Sequence, residues 1–192
     1  MKHSLQVCGY NIRLRPVELV DAEFIIYLRN LPHAAGTVGD TVPDVLAQRR
    51  WIESSWQRPG DYYLMVETNN GKRIGTIGIY DVANGTGEWG RWITLPGVLA
   101  GLPSAVLIHD LAFNHLAVQE LRGCVVSDNL RVISFHRKFG LEQTGIERRA
   151  RQIGGKWVDL VWFVMKKDKW LDARCRLHSL AEVASKALLE NL

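Results

Sequence analysis

Leu95-Pro96-Gly97-Val98-Leu99-Ala100-Gly101 and Asp128-Asn129-Leu130-Arg131-Val132-Ile133-Ser134-Phe135-His136-Arg137-Lys138-Phe139-Gly140-Leu141 are the two stretches on which the fold turns. The first is a glycine-containing loop that feeds a strongly apolar helix from Pro103 to about Leu116, with proline suited to its first turn. The second carries a helix from Leu130 to Phe139, closed by Gly140, and a short buried strand, Leu121 to Ser127, lies between the two. A helix N-terminus presents unpaired backbone N–H groups and a partial positive charge, so small residues entering it can wrap a pyrophosphate. Anion binding is therefore expected over Gly97 to Ser104.

Upstream, Asn11-Ile12-Arg13-Leu14-Arg15 alternates polar and apolar with the period of a half-buried strand that Pro16 ends. A helix is predicted from Val17 to Asn30, with Val20, Phe24, Ile25, Tyr27 and Leu28 on its apolar face, and another from about Pro43 to Gln57, with Val45, Leu46, Trp51, Ile52 and Trp56. Tyr62 to Glu67 and Arg73 to Asp81 form a hairpin around Thr68-Asn69-Asn70-Gly71, and Asn84-Gly85-Thr86-Gly87 leads into a third strand, Glu88 to Thr94. Downstream, Leu141 to Arg149 and Lys156 to Met165 are the last two strands. Residues 167 to 192 place Leu171, Leu177, Leu180, Ala184 and Leu188 at helical spacing.

The 192 residues, 47% apolar and 23% charged, suit one globular domain. No run reaches the roughly 20 apolar residues of a membrane span, and MKHSLQVCGYN lacks the apolar stretch of a secretory signal, so a cytoplasmic location is expected. Three cysteines with no close pair offer neither a disulfide framework nor a zinc ribbon, and Cys124, in an apolar run, reads as a buried inert thiol. The six histidines form no metal constellation. The formal charge of +4 is mild, and the seven tryptophans are not interleaved with a basic patch, so no nucleic-acid partner is expected.

Asn129 through Leu141 resembles the Asn-x-x-Ala-x-x-Phe-Tyr-x-Lys-x-Gly-Phe segment of the GCN5-related N-acetyltransferase (GNAT) superfamily, in unbroken register. Pro96 to Gly101 resembles the family's Gln/Arg-x-x-Gly-x-Gly/Ala loop, with Gly101 on the second glycine and departures at Pro96 and Leu99. Ile12 to Pro16 and Asp21-Ala22 resemble the family's opening. The likeness implies a mixed α/β (α+β) fold: a mostly antiparallel sheet of about seven strands, splayed between strands four and five and flanked by helices. Residues 1–166 would be the acetyltransferase domain and 167–192 a helical extension packed on it or on a subunit partner, leaving a homodimer open.

The resemblance further implies acetyl-coenzyme A as cofactor, held by Trp92, Ile93, Thr94, Leu95, Leu99, Ala100, Gly101, Leu102, Ser104 and Asn129, and direct attack by a primary amine. Glu88 is the candidate base by its position on the fourth strand. His136 stands where many relatives carry a tyrosine acid, a role a near-neutral imidazole could fill. Two acceptor classes remain open. The strand Gly87 to Trp92 resembles ribosomal-protein N-terminal acetyltransferases. Tyr27-Leu28-Arg29-Asn30 and Gln48-Arg49-Arg50-Trp51-Ile52 resemble enzymes that acetylate nucleotide-linked amino sugars. The absence of an acidic stripe favours a small-molecule amine, with Arg29, Arg49 and Asp81 on the acceptor side and the two arginines meeting phosphates. A non-catalytic acyl-CoA-binding module is the other class open.

Overall fold

The computed structural model describes residues 3–190. Eight strands form one sheet in the order β1 (Val7–Gly9), β2 (Ile12–Pro16), β3 (Tyr62–Thr68), β4 (Arg73–Ala83), β5 (Thr86–Thr94), β6 (Glu120–Val126), β8 (Lys156–Lys166) and β7 (Glu142–Ile153). Every neighbouring pair is antiparallel except β5 and β6, which run parallel. The helices are α1 (Ala22–Arg29), α2 (Val45–Trp56), α3 (Gly101–Asp110), α4 (Leu130–Phe139) and α5 (Lys167–Glu190).

The turns explain much of the register. Asn84 and Gly85 both take positive φ, +50° and +76°, as a type I′ hairpin between β4 and β5 demands. Strand β1 adds one strand to the seven expected from sequence. It was hidden because its two-residue turn is built from Tyr10 and Asn11, at φ +54° and +61°, rather than from glycine. Tertiary ties hold these two residues there: the Tyr10 hydroxyl bonds His178 Nδ1 at 2.6 Å, and Asn11 donates to the Ser185 carbonyl at 3.3 Å.

Around β3 both faces of the sheet are covered. Strand β3 is therefore almost wholly buried, with Tyr63 and Met65 packing among Ile25 of α1 and Ile52 of α2, and Leu64 and Val66 joining the larger cluster that includes α3. Helix α5 follows β8 without a break and sends Trp170, Leu177, Ala181 and Leu188 into that same cluster, while Leu171 and Leu180 of the expected stripe point outward. The stripes predicted for the first two helices are also rotated: Val20, Tyr27 and Leu46 are exposed, and Ala22, Ile26, Gln48 and Ser55 are buried instead. Burial follows the sheet face each helix meets, not the most apolar stripe, and the first helix starts as a 3-10 turn, Leu19–Asp21. The predicted helix after the glycine loop is likewise split, with α3 widening into a π-helical turn at Leu111–His115.

Charge fixes the corner where β2, β3, β4 and α1 meet. The fully buried carboxylate of Asp21 accepts from Arg15 at 2.7 and 2.9 Å and from the Glu18 N–H at 2.8 Å, and Arg15 also reaches Glu67. Removing the charge of Asp21 leaves a half-satisfied guanidinium in the interior, so Asp21→Asn should cost about 3 kcal/mol of unfolding free energy, read in urea titration, with Arg15→Met relieving part of the loss in the double variant.

Beneath the sheet, Trp89, His109 and His136 pack ring to ring, Trp89 lying 5.0 Å from His109 and 5.1 Å from His136. Burial pushes His109 down to about 3 and His136 down to about 4. The unfolded chain takes up protons at both near pH 6.5 while the folded chain does not, so this stability is full above that pH and is lost as pH falls toward 4. The loss should approach about 1.4 kcal/mol per pH unit for each histidine, and His109→Phe should flatten the decline of Tm between pH 7 and 5 relative to the wild type.

Candidate active site

Strands β5 and β6 pair over only three positions, Thr86 with Glu120, Gly87 with Leu121 and Glu88 with Arg122. Beyond them the strands diverge, so one backbone edge of β5 from Trp89 to Thr94 has no strand partner. Trp89 packs where they part, its Nε1 standing 2.7 Å from the point a side chain at position 123 would occupy, which is why that residue is glycine. Two cavities meet at the resulting wedge, sharing Thr37, Val38, Trp92, Asn129 and Val132.

The cavity of about 670 Å³ is bounded by the end of β5 (Trp92 to Leu95), the loop Pro96 to Leu99, Gly101 and Leu102 at the start of α3, and Asn129, Arg131 and Phe135 around α4. Helix α3 carries no side-chain cap at its first turn. Among the described residues the N–H groups of Leu99, Ala100, Gly101 and Leu102 meet no protein acceptor. Of the residues expected to hold a cofactor, all but Ala100 and Ser104 line this cavity. Ala100 is fully buried beneath the loop, so only its backbone can serve, and Ile93 packs mostly against Leu28 and Ala34. Ser104 is also buried, donating to the Ala100 carbonyl at 2.7 Å and accepting from Trp92 Nε1 at 3.1 Å; its hydroxyl fixes the indole. Asn129 caps α4 by accepting from the Val132 N–H at 3.3 Å.

The second cavity, about 500 Å³, is lined by aromatic side chains (Trp51, Tyr63, Tyr80, Trp89, Trp92) and by Arg29, Arg91 and Arg151. A β-bulge builds its floor: Thr76 pairs with Ile93 but Gly78 with Gly90, so β5 has one residue more than β4, and Arg91 sits at φ +51°. A side chain in that conformation is strained by about 1 kcal/mol, and Arg91 is held there by Asp61 at 2.5 and 2.9 Å and by the Tyr80 ring 4.5 Å from its guanidinium. Next to it, Tyr80 donates to Glu88 Oε1 at 2.6 Å across the hairpin, a contact possible because Gly90 leaves room for the hydroxyl. Burial, then Glu88, raises the phenol well above its ordinary range, so it stays protonated.

Glu88 stands behind Tyr80 instead of lining the cavity. His136 forms part of the wall, its Nδ1 without a protein partner among the described residues; held down to about 4 by burial, it is a neutral imidazole at pH 7, not the near-neutral one expected. Arg29 lines the cavity. It bonds only neutral groups, Thr41 Oγ1 at 2.5 Å and the carbonyls of Val38 and Gly39 at 2.7 and 3.4 Å, and burial lowers its pKa. Arg49 does not reach the site: it is on the exposed face of α2, and Gln48 lines the cavity in its place. Asp81 is exposed outside the cavity, where the hairpin register slips between Tyr80 and Ala83. Cys124 is a cavity wall 3.7 Å from Glu88, its thiol pushed up to about 12 by burial, as an inert thiol should be.

Tyr80, Arg91, Arg151 and Gln48 were missed from sequence. Tyr80 and Arg91 had a signal as polar residues within two largely apolar, aromatic-bearing strands, but only the bulge register turns them to one side. No described helix is long and apolar enough to cross a membrane, and no cluster of potential metal ligands is present among the described residues.

No curated protein sequence matches the chain. Among solved structures, a nucleotide-linked sugar GNAT, FdhC, superposes with a TM-score of 0.75 at 25% identity, covering 91% of this chain and 97% of its own. A GCN5-related N-acetyltransferase from Brucella melitensis gives 0.79 at 18% over 93% and 86%, and a spermidine N-acetyltransferase from Vibrio cholerae 0.74 at 16% over 85% and 98%. The profile of the acetyltransferase (GNAT) domain matches residues 11–142. With more than half of the chain matched and the splayed sheet in place, the protein belongs to the GNAT family of N-acetyltransferases.

Proposed function

We propose that this enzyme transfers acetyl from acetyl-coenzyme A to the primary amine of a small anionic acceptor, a nucleotide-linked amino sugar. The observation that carries the acceptor class is Arg29, a partly buried cation lining the second cavity with no acidic partner among the described residues. An unpaired interior charge is costly, and an acceptor anion would offset that cost. The nearby arginines oppose a polyamine, which would bring further positive charge into the same space. The likeness to a nucleotide-linked sugar GNAT points the same way.

The larger cavity fits the cofactor. Its free N–H groups at Leu99 to Leu102 would take the diphosphate at the start of α3, with Arg131 at the rim, and the unpartnered edge of β5 would pair with the amides of the pantetheine arm. Bound there, the cofactor supplies an activated acyl carbonyl. Trp92, fixed by Ser104, separates that cavity from the acceptor and sets where the amine can approach.

Proton removal falls to Tyr80 and Glu88. Tyr80 faces the acceptor, so its oxygen takes the amine proton as its own proton passes to Glu88 Oε1 over 2.6 Å. His136, neutral and next to the wedge, donates a hydrogen bond toward the departing sulfur and carries no stored charge.

Thiol release from acetyl-CoA against nucleotide-linked amino sugars, free amino sugars, spermidine and Ala- or Ser-starting peptides tests the reading. The nucleotide-linked amines should give the highest kcat/KM, whereas turnover of spermidine or of a peptide alone would sink it. Glu88→Gln should lower kcat about 100-fold, while Tyr80→Phe lowers kcat by a similar factor with KM for acetyl-CoA unchanged.

A further inference from the structure

We propose that Arg151, on the wall opposite the sheet floor, is a specificity-determining residue that grips a phosphate of the acceptor together with Arg29. The inference rests on the acetyl-transfer reading of the cavity and identifies the second arm of its anion site, at a residue far in sequence from the first.

The hairpin is built to deliver Arg151. Between Glu147, opposite Leu160, and Arg151, opposite Val158, β7 spends four residues against two on β8, and Arg149 adopts φ +49° in the bulge. One carboxylate holds this irregular segment: Asp159 accepts from the Arg149 N–H at 2.8 Å and from Arg148 at 2.5 Å. Ile153, buried against Val126 and Leu160, then seats the strand again. The residue between these two anchors that lines the acceptor cavity is Arg151, beside Cys124.

Four acids of this region are hydrogen-bonded to other groups, Glu88 to Tyr80 among them. Asp159 serves Arg148 and Arg149, Glu147 accepts from Trp162 Nε1 at 2.9 Å, and Asp40 accepts the Gly154 N–H at 2.9 and 3.0 Å. Of the three cavity arginines, Arg91 is neutralised by Asp61, and neither Arg29 nor Arg151 has an acid within ion-pair distance among the described residues. Arg29 uses Nε and Nη2 on neutral acceptors, which leaves Nη1 for a ligand. Two guanidinium groups without counter-charges, one from α1 and one from β7, face a single cavity with aromatic walls. A phosphate or diphosphate between them would accept charge-assisted, bidentate hydrogen bonds from both sides while the amine points to Tyr80.

The test is steady-state kinetics with one amino sugar offered as its nucleotide diphosphate and as the unphosphorylated sugar, for the wild type, Arg151→Gln and Arg151→Lys. The proposal expects the ratio of kcat/KM for phosphorylated over unphosphorylated acceptor to fall at least ten-fold in Arg151→Gln and by less in Arg151→Lys. It also expects KM of the wild type for the phosphorylated acceptor to rise between 50 and 300 mM salt more steeply than that of Arg151→Gln, a response that altered folding alone would not produce. An unchanged ratio and an unchanged salt response, with the wild type active on the phosphorylated acceptor, overturn the role of Arg151 and leave the function standing. A wild type that acetylates only neutral or cationic amines overturns both.

Discussion

The structure depends on one interruption: β5 and β6 stop pairing after three residues. An eight-stranded sheet opened in its middle leaves backbone donors and acceptors without partners, and such groups are costly unless something else satisfies them. The wedge is kept open by the bulky, buried Trp89, which packs against His109 and His136 where a regular sheet would continue, and by Gly123, whose missing side chain makes that packing possible. Both cavities follow from this opening.

Polar groups are then distributed according to what each wall must do. The larger cavity offers backbone N–H groups and few fixed charges, which suits a ligand that brings its own phosphates. The second cavity offers guanidinium groups, aromatic faces, the carboxylate of Asp40 and the Tyr80 hydroxyl, which Glu88 backs from outside the wall. The strain in Arg91 and the low pKa of His136 belong to the same economy: the bulge turns Tyr80 and Arg91 to one cavity, and burial keeps the imidazole uncharged beside it. A further restraint comes from Asp40, which joins the long connection between α1 and α2 to the β7–β8 turn.

Much of the fold was legible because local chemistry and tertiary need agree. The Asn84-Gly85 turn, the helix from Leu130 to Phe139 and the loop before Pro103 were located from residues that admit little else. Strand β1 was not, because Tyr10 and Asn11 accept an unfavourable turn only under restraint from α5, 168 and 174 positions away. The site divides the same way. The loop and Trp92 to Leu95, set by short-range geometry, line the larger cavity, and Arg29 lines the second. Arg49 was misplaced because helical spacing around Trp51 leaves one residue of ambiguity, and it is Gln48 that turns inward. Arg151 and Arg91 lie on bulges, where the two-residue period of a strand fails and sequence alone gives no face.

The central claim is that the wedge between β5 and β6 receives an extended thioester arm whose diphosphate meets the loop before α3. A crystal structure with coenzyme A tests it most directly. The account predicts the pantetheine amides hydrogen-bonded to the backbone of residues 89–94 and the diphosphate against the N–H groups of residues 99–102. Coenzyme A bound elsewhere, or a wedge closed by continued pairing of β5 with β6, would contradict it.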